Sequence, residues 1–275
     1  LLDSKKHLNI LKSNPNQFQI QDKIIQKNFI KKIKHYGKFD IILSCRVLEH
    51  TYNLALFIKS LEILLKPNGN FIFEIPDSKK SLHQGDIAMI WEEHPLYFTK
   101  ESFSLAFKYL GYKILQWERY QYPQEDALVF RIKKHKEKKY LNKELLNKNI
   151  NLGKLFIKNC LKRKKKLITF LTKKVLEKKE IAIFGAGHRS VVYFHAFKLK
   201  PYINYIFDDD IKKKNLYFPG TNLKIKPSSV MLKRNIDICF LSLNIDKEKK
   251  IINKLKKYNN KTKFFSISPD SKIAF

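Results

Sequence analysis

The stretch "FDIILSCRVLEHTYNLALFIKSLEILLKPNGNFIFEIPD", residues 39–77, decides the fold of the first part of the chain. It opens on a short apolar run that predicts a buried strand, and the polar corner Ser44–His50 follows. Apolar residues then recur at helical spacing from Leu54 to Leu65, "KPNG" predicts a turn, and "NFIFEIPD" predicts a second buried strand. Strand, helix and strand in this order predict a parallel sheet.

The same alternation continues after residue 77. "TKESFSLAFKYLG" predicts a helix that begins at a Thr99 cap and ends at Gly111. "YKILQWERY" and "DALVFRIKKH" predict two strands joined by a turn around Pro123, which form an antiparallel edge of the sheet. We therefore expect an α/β fold whose first domain, residues 1–135, is a partial Rossmann-like sheet.

Two further segments follow this domain. Residues 136–178 are highly charged and carry leucines at helical spacing, which indicates one or two linker helices. Residues 179–275 begin with "EIAIFGAGHRS" and contain three more strand-like runs, "YINYIFDDD", "IDICFLSLN" and "TKFFSIS". The sequence thus predicts a second Rossmann-like α/β domain behind a helical linker.

The composition favours a globular protein with two domains. The chain has 275 residues, of which 44% are hydrophobic and 13% aromatic, so it can bury two cores. No run is long and apolar enough to predict a membrane span, and no secretory signal opens the chain. Three widely spaced cysteines without a CxxC pair favour a reducing cytoplasm, and we predict no bound metal.

The net charge of +31 is compatible with nucleic-acid binding. Only six of the 56 basic residues are arginine, however, and arginine is the residue that reads phosphates and bases through two parallel hydrogen bonds. The lysines are spread along the chain, with one dense run at residues 161–166. We therefore interpret the charge as a lysine-rich solvated surface, with an anionic partner as the alternative, and predict no nucleic-acid partner.

Polar residues stand where the first two predicted strands end, and open parallel sheets bind their ligands beyond such ends. In the corner after the first strand, the candidates are Arg46, Glu49 and His50. The alternative is a turn at a helix start, in which Glu49 complements the helix dipole. Glu74 lies inside an apolar strand, where an unpaired carboxylate is costly, so it either pairs within the fold or binds a ligand.

The loop "IWEEHPLYFT" joins a strand to a helix and is dense in aromatic residues. His94 titrates near neutral pH and the neighbouring Glu93 can tune it, which suits a general base in an enclosed pocket. Trp91 and Tyr97 complete this candidate group. The alternative is a helix-capping loop with exposed charges.

The segment "FGAGHRS" ends a strand and opens a helix in the second domain. Gly185 and Gly187 permit a close approach of the backbone, and the helix start attracts phosphate groups, to which Arg189 adds positive charge. Asp208 follows about twenty residues later, as in dinucleotide sites, but Ser190 replaces the third glycine of that fingerprint. The pattern alone is a weak indication of NAD binding.

Three of these motifs resemble methyltransferases. Residues 39–77 look like the second half of a class I S-adenosylmethionine-dependent methyltransferase, with the "RVLEH" corner, the helix and the "PNG" turn in the expected order. "IWEEHPLYFT" resembles the I-Y-H-E-H-L-S-Y-F-S segment of the sugar C-methyltransferases, which methylate carbon on nucleotide-linked keto-sugars. "IAIFGAGHRS", "FDDDIKKKNLYFPGTNLKI" and "IDICFLSLN" look like the C-terminal domain of that family, so the resemblance covers about residues 39 to 245.

The resemblance implies S-adenosylmethionine as cofactor and a nucleotide-linked keto-sugar as substrate. It makes His94 the base, with Glu93 beside it. Trp91 stands where the family has a tyrosine, and an indole offers an N–H but no titratable hydroxyl. The residues expected to face the cofactor are Asp3, Arg46, Glu49 and His50. The residues assigned to substrate binding are Glu74, Gly185, Gly187, Arg189, Ser190 and Asp208.

Two features of the family do not occur in the sequence. Residues 1–38 supply no Gly-rich turn for the methionine end of the cofactor, and a cysteine-rich zinc domain is missing. We therefore expect the chain to be a piece of a longer protein and to bind S-adenosylmethionine poorly. Two other interpretations stay open: a non-catalytic remnant of a methyltransferase, and a nucleotide-binding oxidoreductase that uses "GAGHRS" for NAD.

Overall fold

The computed structural model describes residues 38–122, 125–135 and 141–275. Asp3 and the turn around Pro123 lie outside these residues. Two α/β units, one before residue 136 and one after residue 178, are joined by a long helix. The predicted fold class is confirmed: a partial Rossmann-like sheet is followed by a helical linker and a second Rossmann-like sheet.

The first unit contains a four-stranded sheet in the order β1-β2-β4-β3. Its strands are β1 (Phe39–Cys45), β2 (Leu65–Pro76), β3 (Tyr112–Tyr120) and β4 (Ala127–Lys134). Its helices are α1 (Leu54–Glu62), α2 (Lys79–Gln84) and α3 (Lys100–Tyr109), with 3₁₀ turns at Leu48–His50 and Ile87–Met89. β1 and β2 are parallel, whereas β4 runs antiparallel to both β2 and β3. The predicted antiparallel pair is therefore confirmed, and β4 lies inside the sheet.

Local sequence signals and aromatic packing define α3. The side chains of Thr99 and Ser102 bond to each other's backbone N–H groups and form a capping box at its start. Phe103 and Phe107 are fully buried on the face that packs on the sheet. The rings of Phe103 and Phe130 of β4 stack with centroids 3.8 Å apart. The first hydrophobic core thus lies between the sheet and the helices α1 and α3.

The segment "KPNG" belongs to β2 and is not a turn before it, so that prediction is wrong. Pairing passes from Phe39 opposite Leu65 to Ile41 opposite Asn70, which is two residues along β1 against five along β2. The excess residues form an irregular bulge. A β-carbon at Gly69 would stand 2.9 Å from the Asp40 carbonyl oxygen, a backbone atom that cannot move aside easily, so the bulge favours glycine there. Bulges and turns use the same residue types, and the sequence does not distinguish them.

The linker is one helix of 34 residues, α4 (Lys143–Leu176). Leu167 and Leu171, near its end, are buried in the core of the second unit. Nearer its start, the Asn159 side-chain amide donates a hydrogen bond to the His83 carbonyl oxygen at 2.7 Å. The helix therefore contacts both units. None of the helices within the described ranges combines the length and the apolar character needed to cross a membrane.

The second unit contains a five-stranded parallel sheet in the order β7-β6-β5-β8-β9. Its strands are β5 (Ile181–Phe184), β6 (Tyr205–Phe207), β7 (Ile225–Lys226), β8 (Ile238–Leu241) and β9 (Lys263–Ser266). Its helices are α5 (His188–Ala196) and α6 (Ile245–Lys256), with 3₁₀ turns at Ile211–Lys213 and Ser228–Leu232. The four predicted strands are confirmed. β7 was not predicted, because two residues are too few for a periodic pattern.

Both faces of the second sheet are buried. Along β5, Ile181 and Ile183 face a core that includes residues of α4 and α5, whereas Ala182 and Phe184 face a core on the opposite side. Burial on both faces explains why the strand is a continuous apolar run and not an alternating one. The carboxyl end of β5 leads into the glycine loop, residues 185–187, at the start of α5.

Candidate active site

The polar corner after β1 holds Arg46 between two carboxylates. Its backbone lies in the left-handed region at φ 52°, which is uncommon for a residue other than glycine. Its backbone N–H donates a hydrogen bond to the Glu74 carbonyl oxygen at 2.9 Å. Its guanidinium lies 3.3 Å from a carboxylate oxygen of Glu74 and 3.4 Å from one of Glu125. Glu74 therefore has a partner within the fold, and substrate binding by this residue stays a prediction.

Glu125 was not predicted as a site residue. It lies just before β4, which runs antiparallel to β2 and therefore begins at the edge of the sheet where β2 ends. Burial raises its pKa to about 7, against the opposing effect of the Arg46 charge.

Glu49 is buried, with 2% of its surface exposed. Its Oε2 atom has no hydrogen-bond partner among the described residues, and burial raises the pKa of its carboxyl group. The hydroxyl groups of Ser44 and Thr51 are likewise buried without a partner in this part of the chain. Buried polar atoms are nearly always hydrogen-bonded, and this corner of the described structure holds three exceptions.

Two imidazole rings meet beside this corner. The rings of His50 and His94 lie edge to face, with centroids 4.5 Å apart. Nδ1 of His50 lies 3.0 Å from the Glu93 carbonyl oxygen; because a carbonyl only accepts, Nδ1 carries the proton and Nε2 is free. Burial, followed by the charge of His50, lowers the pKa of His94. The His94 ring is therefore neutral at neutral pH and keeps a lone pair. The Glu93 side chain is exposed and opposes this shift through its charge.

Hydrogen bonds close the loop that carries His94. The Tyr97 hydroxyl accepts a hydrogen bond from the backbone N–H of Trp91 at 2.8 Å and donates one to the backbone carbonyl oxygen of Trp91 at 3.1 Å. Burial raises the pKa of Tyr97, so this hydroxyl stays protonated. The Leu96 N–H donates to the Glu49 carbonyl oxygen at 3.3 Å and holds the loop against the corner. Tyr97 therefore shapes the loop, and the indole of Trp91 lies along the His94 ring, with centroids 5.9 Å apart.

The second unit contacts this loop through His188, the first residue of α5. The His188 ring stacks on Trp91, with centroids 3.9 Å apart and an angle of 10° between the planes. Its Nε2 lies 2.9 Å from the Ile90 carbonyl oxygen, and its Nδ1 lies 3.3 Å from the Glu92 carboxylate. His188 was not predicted as a site residue, although it stands within the "GAGHRS" motif.

The two glycines of that motif differ in what surrounds them. Gly185 has φ 99°, and a β-carbon on it would stand 2.5 Å from the Ser242 carbonyl oxygen. Gly187 caps α5, and a β-carbon there would have no atom within 4 Å. The buried Ser190 hydroxyl donates to the Gly187 carbonyl oxygen at 2.7 Å. The fold itself requires Gly185, whereas the space over Gly187 is open to a ligand.

Two charged residues assigned to substrate binding have partners within the protein. Arg189 lies 3.5 Å from Asp86 in a largely buried ion pair that joins the two units. Asp208 accepts hydrogen bonds from the Ala186 N–H and the Lys213 ammonium group, both at 2.8 Å. These contacts fix the glycine loop and its distance from the first unit. A role of Arg189 and Asp208 in substrate binding stays a prediction.

One edge of the first sheet thus collects residues from both predicted groups: Arg46, Glu49, His50, Glu74, Trp91, Glu93, His94 and Tyr97. The glycine loop of the second unit approaches the same place through His188. Asp3 lies outside the described residues, so its assignment to the cofactor stays a prediction.

Two family models match the chain. One is described as a methyltransferase domain and matches residues 4–117, and the other is described as the C-methyltransferase C-terminal domain and matches residues 133–269. The chain is therefore similar to a methyltransferase domain in its first part and to the C-methyltransferase C-terminal domain in its second. Both halves of the resemblance are therefore confirmed, in the expected order. The cofactor that a match to a methyltransferase domain implies is S-adenosylmethionine.

Two known methyltransferases match parts of the chain. The ubiquinone biosynthesis O-methyltransferase of Pelagibacter ubique (strain HTCC1062) is 30% identical over 124 residues, which are 44% of this chain and 45% of that protein. The N-methyltransferase NodS from Bradyrhizobium japonicum WM9 is a solved structure with 14% identity and a TM-score of 0.28, covering 45% of this chain and 57% of its own. The chain thus spans about half the length of these relatives.

Proposed function

We propose that the chain carries the reacting edge of an S-adenosylmethionine-dependent C-methyltransferase that acts on a nucleotide-linked keto-sugar. The observation that carries the proposal is His94, a half-buried imidazole whose ring nitrogens make no hydrogen bond among the described residues. Burial lowers the pKa of His94 and so favours the unprotonated ring at neutral pH. A free lone pair at this edge is what a general base requires.

In the proposed reaction, His94 removes a proton from the carbon next to the ketone of the sugar. A positioned base of matched pKa contributes about 10²–10⁴-fold to the rate of such a step. The backbone contacts of the loop hold the imidazole in place, because the Tyr97 hydroxyl bonds to both backbone groups of Trp91. The proton leaves as the ketone becomes an enolate, whose carbon is the nucleophile.

The enolate oxygen needs a hydrogen-bond donor as its charge develops. The Tyr97 hydroxyl already donates to the Trp91 carbonyl oxygen, so it is the weaker candidate. The indole N–H of Trp91 and the backbone N–H groups of the same loop are the better ones. The replacement of tyrosine by Trp91 in the family segment is therefore compatible with a donor role and not with proton transfer.

S-adenosylmethionine, when bound, supplies an electrophilic methyl group on a sulfonium. The corner after β1 suits one side of this cofactor, because three buried polar atoms, on Ser44, Glu49 and Thr51, have no partner among the described residues. Arg46 and His50 are the other residues that would hold it. A Gly-rich turn for the methionine end is not among the described residues.

The second unit would hold the nucleotide part of the substrate. The space over Gly187 is open, and the N–H groups at the start of α5 favour phosphate oxygens. The stack of His188 on Trp91 sets that loop beside the base. A nucleotide bound at α5 would therefore present its sugar to the loop of His94.

The test uses the full-length protein and a panel of nucleotide-linked keto-sugars. In deuterium oxide with S-adenosylhomocysteine present, the wild type should exchange the hydrogen next to the ketone, and with ¹³C-methyl cofactor it should form a new carbon–carbon bond. His94→Asn should lose about 10²–10⁴-fold of both rates and keep its affinity for S-adenosylhomocysteine in calorimetry. His83→Asn, an exposed histidine outside the site, is the control. Exchange that persists in His94→Asn removes this residue from the role of base.

A further inference from the structure

We infer that Glu49, His50 and His94 form a binding site for a divalent transition metal such as Zn²⁺, a ligand that was not predicted from the sequence. One ligand atom from each of the three residues lies within 4.8 Å of the other two. Two imidazole nitrogens and one carboxylate oxygen are a donor set that zinc and non-haem iron(II) sites use. The three residues come from two segments, the corner after β1 and the loop before α3, that meet only in the folded chain.

The carboxylate of Glu49 is the first independent support. The residue is 2% exposed, and its Oε2 atom has no hydrogen-bond partner among the described residues. A buried carboxylate oxygen without a partner is costly, and a bound cation removes that cost. The positive charge of Arg46 opposes a metal here, but that guanidinium is held by Glu74 and Glu125 at 3.3 and 3.4 Å.

The second support is the orientation of His50. Its Nδ1 lies 3.0 Å from the Glu93 carbonyl oxygen and donates to it, so Nε2 is the nitrogen left for a metal. Histidine ligands in proteins usually donate their other N–H to a carbonyl or carboxylate in this way, which fixes the ring and its tautomer. The backbone of the loop thus supplies the outer contact of a metal site.

The spacing of the ligand atoms requires a small adjustment. Zinc binds nitrogen and oxygen at about 2.0–2.2 Å, so the ligand atoms of a tetrahedral site stand about 3.4 Å apart. The ligand atoms lie within 4.8 Å of one another, so metal binding requires the side chains to draw together by at most about 1.4 Å. Three protein ligands leave a fourth position for water or a substrate oxygen. A metal on His94 takes the lone pair that the proposed base needs, so metal binding should inhibit turnover; this consequence rests on the proposed function.

Metal binding is tested on the full chain without cofactor or sugar. A chelator first removes bound metal, and the chelator is then removed. Titration with Co²⁺ should give saturable visible absorption for one ion, and Zn²⁺ should displace it. Glu49→Gln, His50→Ala and His94→Ala should each weaken the affinity at least about tenfold, which is the lower end of the loss seen even for outer contacts of metal sites. His83→Ala, which changes an exposed side chain outside the site, should bind as the wild type does.

Several results would overturn the inference. One is the lack of saturable Co²⁺ binding by the wild type. The others are an affinity in the three ligand variants equal to that of the wild type, and a loss of affinity in the His83→Ala control as large as that in the ligand variants. Circular dichroism of each variant tests folding, and His94→Asn replaces any variant that does not fold. The assay contains neither cofactor nor keto-sugar, so its failure is separate from a failure of the methyl-transfer proposal.

Discussion

Replacing Glu125 with glutamine removes a carboxyl group whose pKa burial raises from its usual 4.5 to about 7. The side chain is 23% exposed, and the guanidinium of Arg46, 3.4 Å away, only partly offsets the effect of burial. Between pH 4.5 and about 7, the folded protein therefore keeps a proton that the unfolded chain has released. The free energy of unfolding falls as pH rises through this window, by about 1.4 kcal/mol per pH unit and about 3 kcal/mol in all.

Glu125→Gln keeps the size of the side chain and an acceptor for Arg46, but it does not titrate. Urea unfolding of both proteins at a series of pH values measures the difference in free energy. The two proteins should be equally stable near pH 4, where Glu125 is protonated, and at pH 8 the variant should be more stable by about 3 kcal/mol.

The protein has a net charge of +31, so the loss of any acidic residue alters the overall repulsion. Glu118→Gln, which removes an exposed carboxylate of β3, is the matched control for that effect. A stability difference that does not change with pH would contradict the raised pKa. A Glu125→Gln variant that is less stable than the wild type at pH 8 would show that the ion pair with Arg46 outweighs the effect of burial.

The remaining predictions concern the second unit. Gly185→Ala should lower the free energy of unfolding by about 1–3 kcal/mol, because the new β-carbon meets a carbonyl oxygen at 2.5 Å and φ is positive. Gly187→Ala should lower the free energy of unfolding by less than about 1 kcal/mol and weaken the binding of the nucleotide-sugar. Thermal unfolding measures the stability of each variant, and calorimetry measures the binding. An equal loss of stability in the two variants would contradict the different roles given to Gly185 and Gly187. His188→Ala should red-shift the fluorescence of Trp91, because the ring that covers the indole is lost. The emission is measured in a variant whose only tryptophan is Trp91. His195→Ala, at the other end of α5, should leave the emission unchanged, and a shift there of the same size would count against the stack.

The relative order and type of the elements could be predicted from local sequence patterns. The capping box at Thr99, the apolar run of β5 and the helical spacing of α1 act through residues only a few positions apart, so the sequence shows them directly. The corner after β1 and the "GAGHRS" loop were located because parallel strands present their ligands at their carboxyl ends. The same motifs, in their order, were enough to indicate the family.

The contacts of the site depended on the tertiary structure. Glu125 joins the edge of the first sheet because β4 runs antiparallel between β2 and β3, which is a property of strand pairing and not of its own segment. His188 reaches Trp91, and Arg189 pairs with Asp86, because the two units pack against each other. These partners stand about a hundred positions apart in the chain, so no rule of spacing links them. Their proximity follows from the packing free energy of the whole fold, which short sequence patterns do not contain.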